Sequence, residues 1–192
     1  YSADIPIDNF GQLDSRVKIG LVGDDSTPNG VYGESGDFYI RGNITVVYPN
    51  GGQTFNINDH CVITWTPYPS GNGELGAVRI AYSKDSGSDG YPDPQLIVSG
   101  IDASQGGAGY DWTIPDADLL YNTIRVQVKL VTDPTGEVKD ESNNDFTIKG
   151  NLDLTRPSEN GADPQLTWEC GTQEAITWDR MGTAMGPVDI YF

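Results

Sequence analysis

Two short loops carry oxygen donors at the spacing a hard cation uses: Asp85-Ser-Gly-Ser-Asp89-Gly90 and Asp25-Ser-Thr-Pro-Asn29-Gly30. Both resemble the opening of a D-x-[DN]-x-[DN]-G calcium loop. Each lacks an acidic third ligand and the Glu twelve positions in. Asp85, Asp89, Asp25 and Asn29 are therefore weak Ca2+ candidates, and solvated turns are the simpler expectation. His60, the one histidine, adjoins Cys61, but neighbours along a strand face opposite sides, so adjacency cannot build a Cys–His dyad. G-x-S-x-G, H-E-x-x-H and G-x-x-x-x-G-K-[ST] do not occur.

Paired carboxylates are numerous, but a glycosidase pair needs an enclosing cleft. No carboxylate pair recurs in both copies except through Glu34 with Glu141 and Asp37 with Asp145, beside a turn. No catalytic residue and no resident cofactor are expected. Cys61 and Cys170 have no C-x-x-C partner; Cys61 shares strand parity with Ile63 and Trp65, which marks it as a small core residue rather than half of a bridge. Asn43-Ile-Thr45 is the sole N-x-[ST] sequon, so Asn43 is the glycosylation candidate. At the matching place, Asn151-Leu-Asp153 lacks the hydroxyl.

The elements that would hold these residues are short strands. The 192 residues include 24 Gly and 12 Pro among brief apolar runs, the pattern of strands joined by tight turns. With 11 basic and 28 acidic residues, the net charge of −17 repels phosphate backbones and anionic lipid, so neither nucleic acid nor membrane insertion is expected. No run of about 18 apolar residues and no signal-peptide pattern occurs. Because the chain opens on Tyr1, a processed product or a window on something longer is expected.

The sequence also repeats. Tyr1-Ser-Ala-Asp-Ile-Pro6 lies over Tyr110-Asp-Trp-Thr-Ile-Pro115, and Arg16-Val-Lys-Ile-Gly-Leu-Val22 over Arg125-Val-Gln-Val-Lys-Leu-Val131. Glu34-Ser35 and Phe38 to Gly42 then fall on Glu141-Ser142 and Phe146 to Gly150. At the other end Ile44-Thr-Val46 and Pro49 match Leu152-Asp-Leu154 and Pro157; Ile63-Thr-Trp65 matches Ile176-Thr-Trp178, and Val78-Arg-Ile80 matches Val188-Asp-Ile190. Residues 43–150 thus read as one complete unit, 1–42 as the C-terminal half of a preceding one and 151–192 as the N-terminal half of the next.

Within the complete unit the period is two: Ile124, Val126, Val128 and Leu130 face one way, Arg125, Gln127 and Lys129 the other. Strands are expected over 44–48, 61–65, 78–82, 95–98, 110–114, 124–131 and 145–148, with Trp65, Ile80, Trp112, Val126, Val128 and Phe146 in the core. Seven strands in about a hundred residues is the β-sandwich pattern. All four tryptophans are expected in repeat cores, which leaves Tyr48, Tyr68, Tyr91 and Tyr121 as candidate exposed rings.

The motif set Ile44-Thr-Val, Pro49-Asn-Gly-Gly52, Phe55, Ile63-Thr-Trp65, Tyr110-Asp-Trp-Thr-Ile-Pro115, Asp140-Glu-Ser142 and Phe146-Thr-Ile148 resembles the Ig-like repeat of the Ser-Thr-rich glycosyl-phosphatidyl-inositol-anchored membrane family. That module is related to the N-terminal domain of yeast cell-wall β-glucan assembly proteins and is found in tandem in secreted prokaryotic proteins. The resemblance implies tandem immunoglobulin-like sandwiches, one complete and two partial. It also implies an extracellular or cell-surface, non-catalytic building block of a rod, stalk or fibril. Its partners would be neighbouring copies or repeats, head to tail, with covalent or bound glycans. A carbohydrate-binding or adhesive module of a larger secreted protein is the alternative. The two end segments, whose apolar strand faces need cover, are expected to complete one another, either along a continuous array or between chains.

Overall fold

The computed structural model describes residues 16–20, 32–38, 40–70, 75–133, 135–157, 167–183 and 185–191. Asp25, Asn29 and the segment Tyr1 to Pro6 lie outside them. The chain is all-β. The strands are, in order, β1 (Lys18–Gly20), β2 (Tyr32–Glu34), β3 (Asn43–Tyr48), β4 (Thr54–Asn56), β5 (His60–Tyr68), β6 (Ala77–Ser83) and β7 (Leu96–Asp102). Then follow β8 (Tyr110–Thr113), β9 (Arg125–Leu130), β10 (Lys139–Glu141), β11 (Thr147–Lys149), β12 (Asn151–Arg156) and β13 (Thr177–Met181).

Within 43–150 the strands make a three-stranded sheet ordered β3-β5-β8 and a four-stranded sheet ordered β10-β9-β6-β7. Every pair in these two sheets is antiparallel. Alternation along each strand sends one set of side chains inward. In β5, Cys61, Ile63, Trp65 and Pro67 are buried while His60, Val62, Thr66 and Tyr68 are exposed. In β9, Val126, Val128 and Leu130 are buried, and Arg125, Gln127 and Lys129 are half-buried. These inner faces join Ile44, Val46, Val78, Ile80, Trp112, Phe146 and Ile148 in one apolar cluster between the sheets. Each large side chain so enclosed contributes about 1.5–3 kcal/mol relative to exposure. All six residues assigned to the core from the sequence are in it.

Trp65 anchors that cluster. Its indole Nε1 donates to the carbonyl of Ala103 at 2.8 Å, which satisfies its single polar atom inside the core. Ala103 begins a 3-10 turn, Ala103–Gly107, that lies against β5. A Cβ on Gly106 would stand 2.2 Å from the Trp65 carbonyl oxygen, so only glycine allows this approach.

β4 and β11 pair in parallel, Thr54 opposite Thr147 and Phe55 opposite Ile148. These two strands and β10 depart from the sequence expectation. β4 is too short for its period to register. β10 reads Lys139-Asp-Glu141, a charged triplet with the composition of a loop; it is an edge strand, and charge at an edge discourages pairing with other chains. β11 begins two residues later than expected, and the residue before it, Phe146, is bridged to Ile124 instead.

Four aromatic expectations need correction. Tyr91 is buried, not exposed, on a backbone with φ of +57°, and Tyr121 is half-buried against the core. Tyr48 and Tyr68 are exposed as expected. Trp168 and Trp178 are exposed rather than in a core, because among the described residues the sheet that covers their counterparts Phe55 and Trp65 has no equivalent beside β12 and β13.

Candidate functional site

The loop carrying Asp85 and Asp89 uses its polar groups on itself. Asp89 accepts from the backbone N–H of Lys84 at 3.1 Å and of Tyr91 at 3.2 Å. Ser83 Oγ accepts from the N–H groups of Asp85 and Gly87. Burial acts to raise the Asp89 pKa, but hydrogen bonds from Ser83, the two backbone groups and Gln95 outweigh it and hold the carboxyl below its ordinary range. Both Asp85 and Asp89 are exposed. Among the described residues, no three His, Cys, Asp or Glu side chains converge as a metal site would require.

His60 and Cys61 face opposite sides of β5. His60 Nδ1 lies 3.0 Å from Asp111 Oδ2 on the exposed face, whereas Cys61 is fully enclosed and burial pushes its thiol up to about 12. Cys170 is exposed. Asn43 and Thr45 both project outward from β3, an edge strand, so the sequon is accessible.

The recurring acids belong to a buried-edge ion network that the sequence only half revealed. Arg125 Nε contacts Asp145 Oδ1 at 2.6 Å and its guanidinium reaches Glu141 at 3.5 Å. Ser86 Oγ donates to Asp145 Oδ2 at 2.8 Å. Burial opposes ionisation of Asp145, yet the bonds from Arg125 and Ser86 and the charge of Arg125 keep its pKa below the usual value. Beside this network Ser142, itself buried, accepts from Val126 N–H at 3.1 Å and donates to the carbonyl of Pro49 at 2.8 Å. One hydroxyl thus ties the two sheets together.

The flanking ribbons reproduce this geometry. β1 pairs with β2 as Lys18 to Glu34, Ile19 to Gly33 and Gly20 to Tyr32; at the matching sequence places β9 pairs with β10 as Gln127 to Glu141, Val128 to Asp140 and Lys129 to Lys139. Arg16 contacts Asp37 as Arg125 contacts Asp145. Ser35 Oγ accepts from Val17 N–H at 2.9 Å, the counterpart of Ser142 and Val126. On the other side β12 pairs with β13 as Asn151 to Met181, Asp153 to Asp179 and Leu154 to Trp178. β3 pairs with β5 as Asn43 to Tyr68, Thr45 to Thr66 and Val46 to Trp65. The register slips by one residue at the same place in both ribbons, between Val46 and Tyr48 and between Leu154 and Arg156.

Burial does not follow. Leu152, Leu154 and Trp178 are 45%, 54% and 36% exposed, and Val17 and Ile19 are 53% and 70% exposed. Their counterparts Ile44, Val46, Trp65, Val126 and Val128 are 2% exposed or less. Among the described residues, these two apolar strand faces are left open to solvent.

A groove of about 690 Å³ lies where β11 runs into β12, lined by Leu120, Tyr121, Ile148, Met185 and Val188 among others. Its wall carries one basic and one acidic side chain, Lys149 and Asp189. Among the described residues, no helix is long and apolar enough to cross a membrane. No protein-family model, curated protein or solved structure matches the chain.

Proposed function

We propose that this chain is a structural building block, a run of tandem immunoglobulin-like sandwiches joined head to tail in an extracellular rod, stalk or fibril. The order β3-β5-β8 facing β10-β9-β6-β7 supports the immunoglobulin-like assignment, because it lays strands out as A-B-E against G-F-C-C′. The observation that carries the proposal is the contrast in the flanks: the same register, slip and Arg–Asp pair as the complete unit, with the inward face left bare. A half-sandwich of this kind is a part for assembly. The second junction favours a stiff product, since Gly150 alone separates β11 from β12.

Electron microscopy of the native material tests this. Unbranched rods or fibres with an axial repeat near the length of one sandwich are expected. Compact particles with no axial repeat would overturn it.

A further inference from the structure

We infer that the apolar face of the β12–β13 ribbon is the docking surface for the β1–β2 ribbon of a second copy of this chain. The inference deepens the head-to-tail proposal and rests on it. The occupant is identified by the complete unit, which already contains the complex in intramolecular form. There β3 and β5 are covered by β9 and β10: Ile44, Val46 and Trp65 share one core with Val126 and Val128, and the Val46 N–H is bonded to Asp140 of β10. β12 and β13 are the counterparts of β3 and β5, and β1 and β2 of β9 and β10. Leu152, Leu154 and Trp178 of one copy therefore meet Val17 and Ile19 of the next.

The same template fixes the joint in detail. In the complete unit β6 pairs with β9 so that Ile80 stands opposite Val128. Ile190 matches Ile80 and Ile19 matches Val128, which sets Ile190 of one copy beside Ile19 of its neighbour. Both are exposed in the single chain. Ser142 Oγ bridges Val126 N–H and the Pro49 carbonyl. In the single chain Ser35 Oγ accepts from Val17 N–H and donates to the Gly36 carbonyl, each at 2.9 Å; in the joint the Pro157 carbonyl of the second copy takes the place of Gly36 as its acceptor. The joint uses two different surfaces, so each addition leaves one of each free and the assembly propagates. A net charge of −17 per copy opposes association, so assembly strengthens as salt screens it.

The test uses the 192-residue chain and two variants, Ile19→Asp and Trp178→Asp, followed by sedimentation velocity over a range of concentration and salt. Wild type forms a growing series of oligomers. Each variant alone stays monomeric to a concentration at least about 100-fold higher, since a carboxylate buried in the apolar joint has no partner. The urea midpoint of the main unfolding transition, which reports residues 43–150, is unchanged. An equimolar mixture forms a dimer that does not grow, because each variant retains the surface the other has lost. A third protein, Ile19→Cys with Ile190→Cys and Cys170→Ser, gives a disulfide-linked ladder under mild oxidation. Variants that assemble like wild type, a mixture that stays monomeric, or a cysteine pair that closes only within one chain would each overturn the joint. A wild-type chain that stays monomeric while native material forms rods would also overturn it, placing the cover within a longer chain and leaving the rod proposal intact.

Discussion

The complete unit and its two flanks use nearly the same backbone hydrogen bonds and reach opposite states of burial. Val46 opposite Trp65 and Leu154 opposite Trp178 are the same pairing at the same place in a slipped register, yet the first pair is enclosed and the second faces solvent. Strand pairing here is thus settled by local sequence: alternation, the slip, and an Arg reaching back to an Asp. Enclosure is settled only by what the opposite sheet brings. A ribbon with correct pairing and no opposite sheet has most of the order of a domain and little of its stability.

The sharpest way to break this comparison is to remove the same side chain from both regions. Trp65→Ala should destabilise the complete unit by about 3–5 kcal/mol through the cavity it leaves, measured by urea unfolding. Trp178→Ala in a dilute chain should change stability by less than about 1 kcal/mol, because an exposed ring leaves no cavity. Equal effects would mean that the burial contrast does not exist in solution.

Next in size is the hydroxyl. Ser142→Ala strands the buried Val126 N–H and the Pro49 carbonyl and should cost about 1–3 kcal/mol; Ser35→Ala, at an exposed site, should be nearly silent until the chains associate. The ion pairs follow. Asp145→Asn should cost about 1 kcal/mol, and Asp37→Asn less, because water screens the Arg16 pair.

Acid titration sharpens the same point. Asp145, Asp133 and Asp89 all have depressed pKa values in the folded chain. The stability they contribute is present above the unfolded carboxyl value of about 3.9 and is lost as pH falls through their lower folded values. The urea midpoint should therefore be flat near neutrality and fall below about pH 4, less steeply in Asp145→Asn. Thiol labelling gives the mildest probe: Cys170 should react at once in the native chain, and Cys61, whose thiol burial pushes to about 12, only on unfolding.

Much of this was legible in the sequence where side chains alternate over a long enough run. Ile124 to Leu130 and Cys61 to Trp65 declare both their strand and its inner face. The matched registers of β3 with β5 and of β12 with β13 follow apolar spacing that survives changes such as Val46 to Leu154. β10 was hidden because its charges suit an edge and a loop equally. Tyr91 was hidden because a left-handed residue at the end of an Asp, Ser and Gly loop turns its ring inward, and no period reports that. The ion network was visible only as recurring acids. Arg125 had been accounted for as an outward residue of β9, and nothing in strand parity brings Asp145 back to it.

The parallel contact between β4 and β11 has a mechanical consequence. In a rod of the kind proposed, load entering a unit at Asn43 pulls first on β3 and leaves at Gly150 directly behind β11, so once β3 gives way from β5 the strands β4 and β11 are drawn past one another lengthwise. The bonds from Thr147 N–H to the Gln53 carbonyl and from Ile57 N–H to the Lys149 carbonyl, each 2.9 Å, then bear the pull together in shear instead of peeling apart in turn. A unit clamped this way yields late, and if such units are joined as proposed, a fibre under traction parts at its joints while its modules keep their shape.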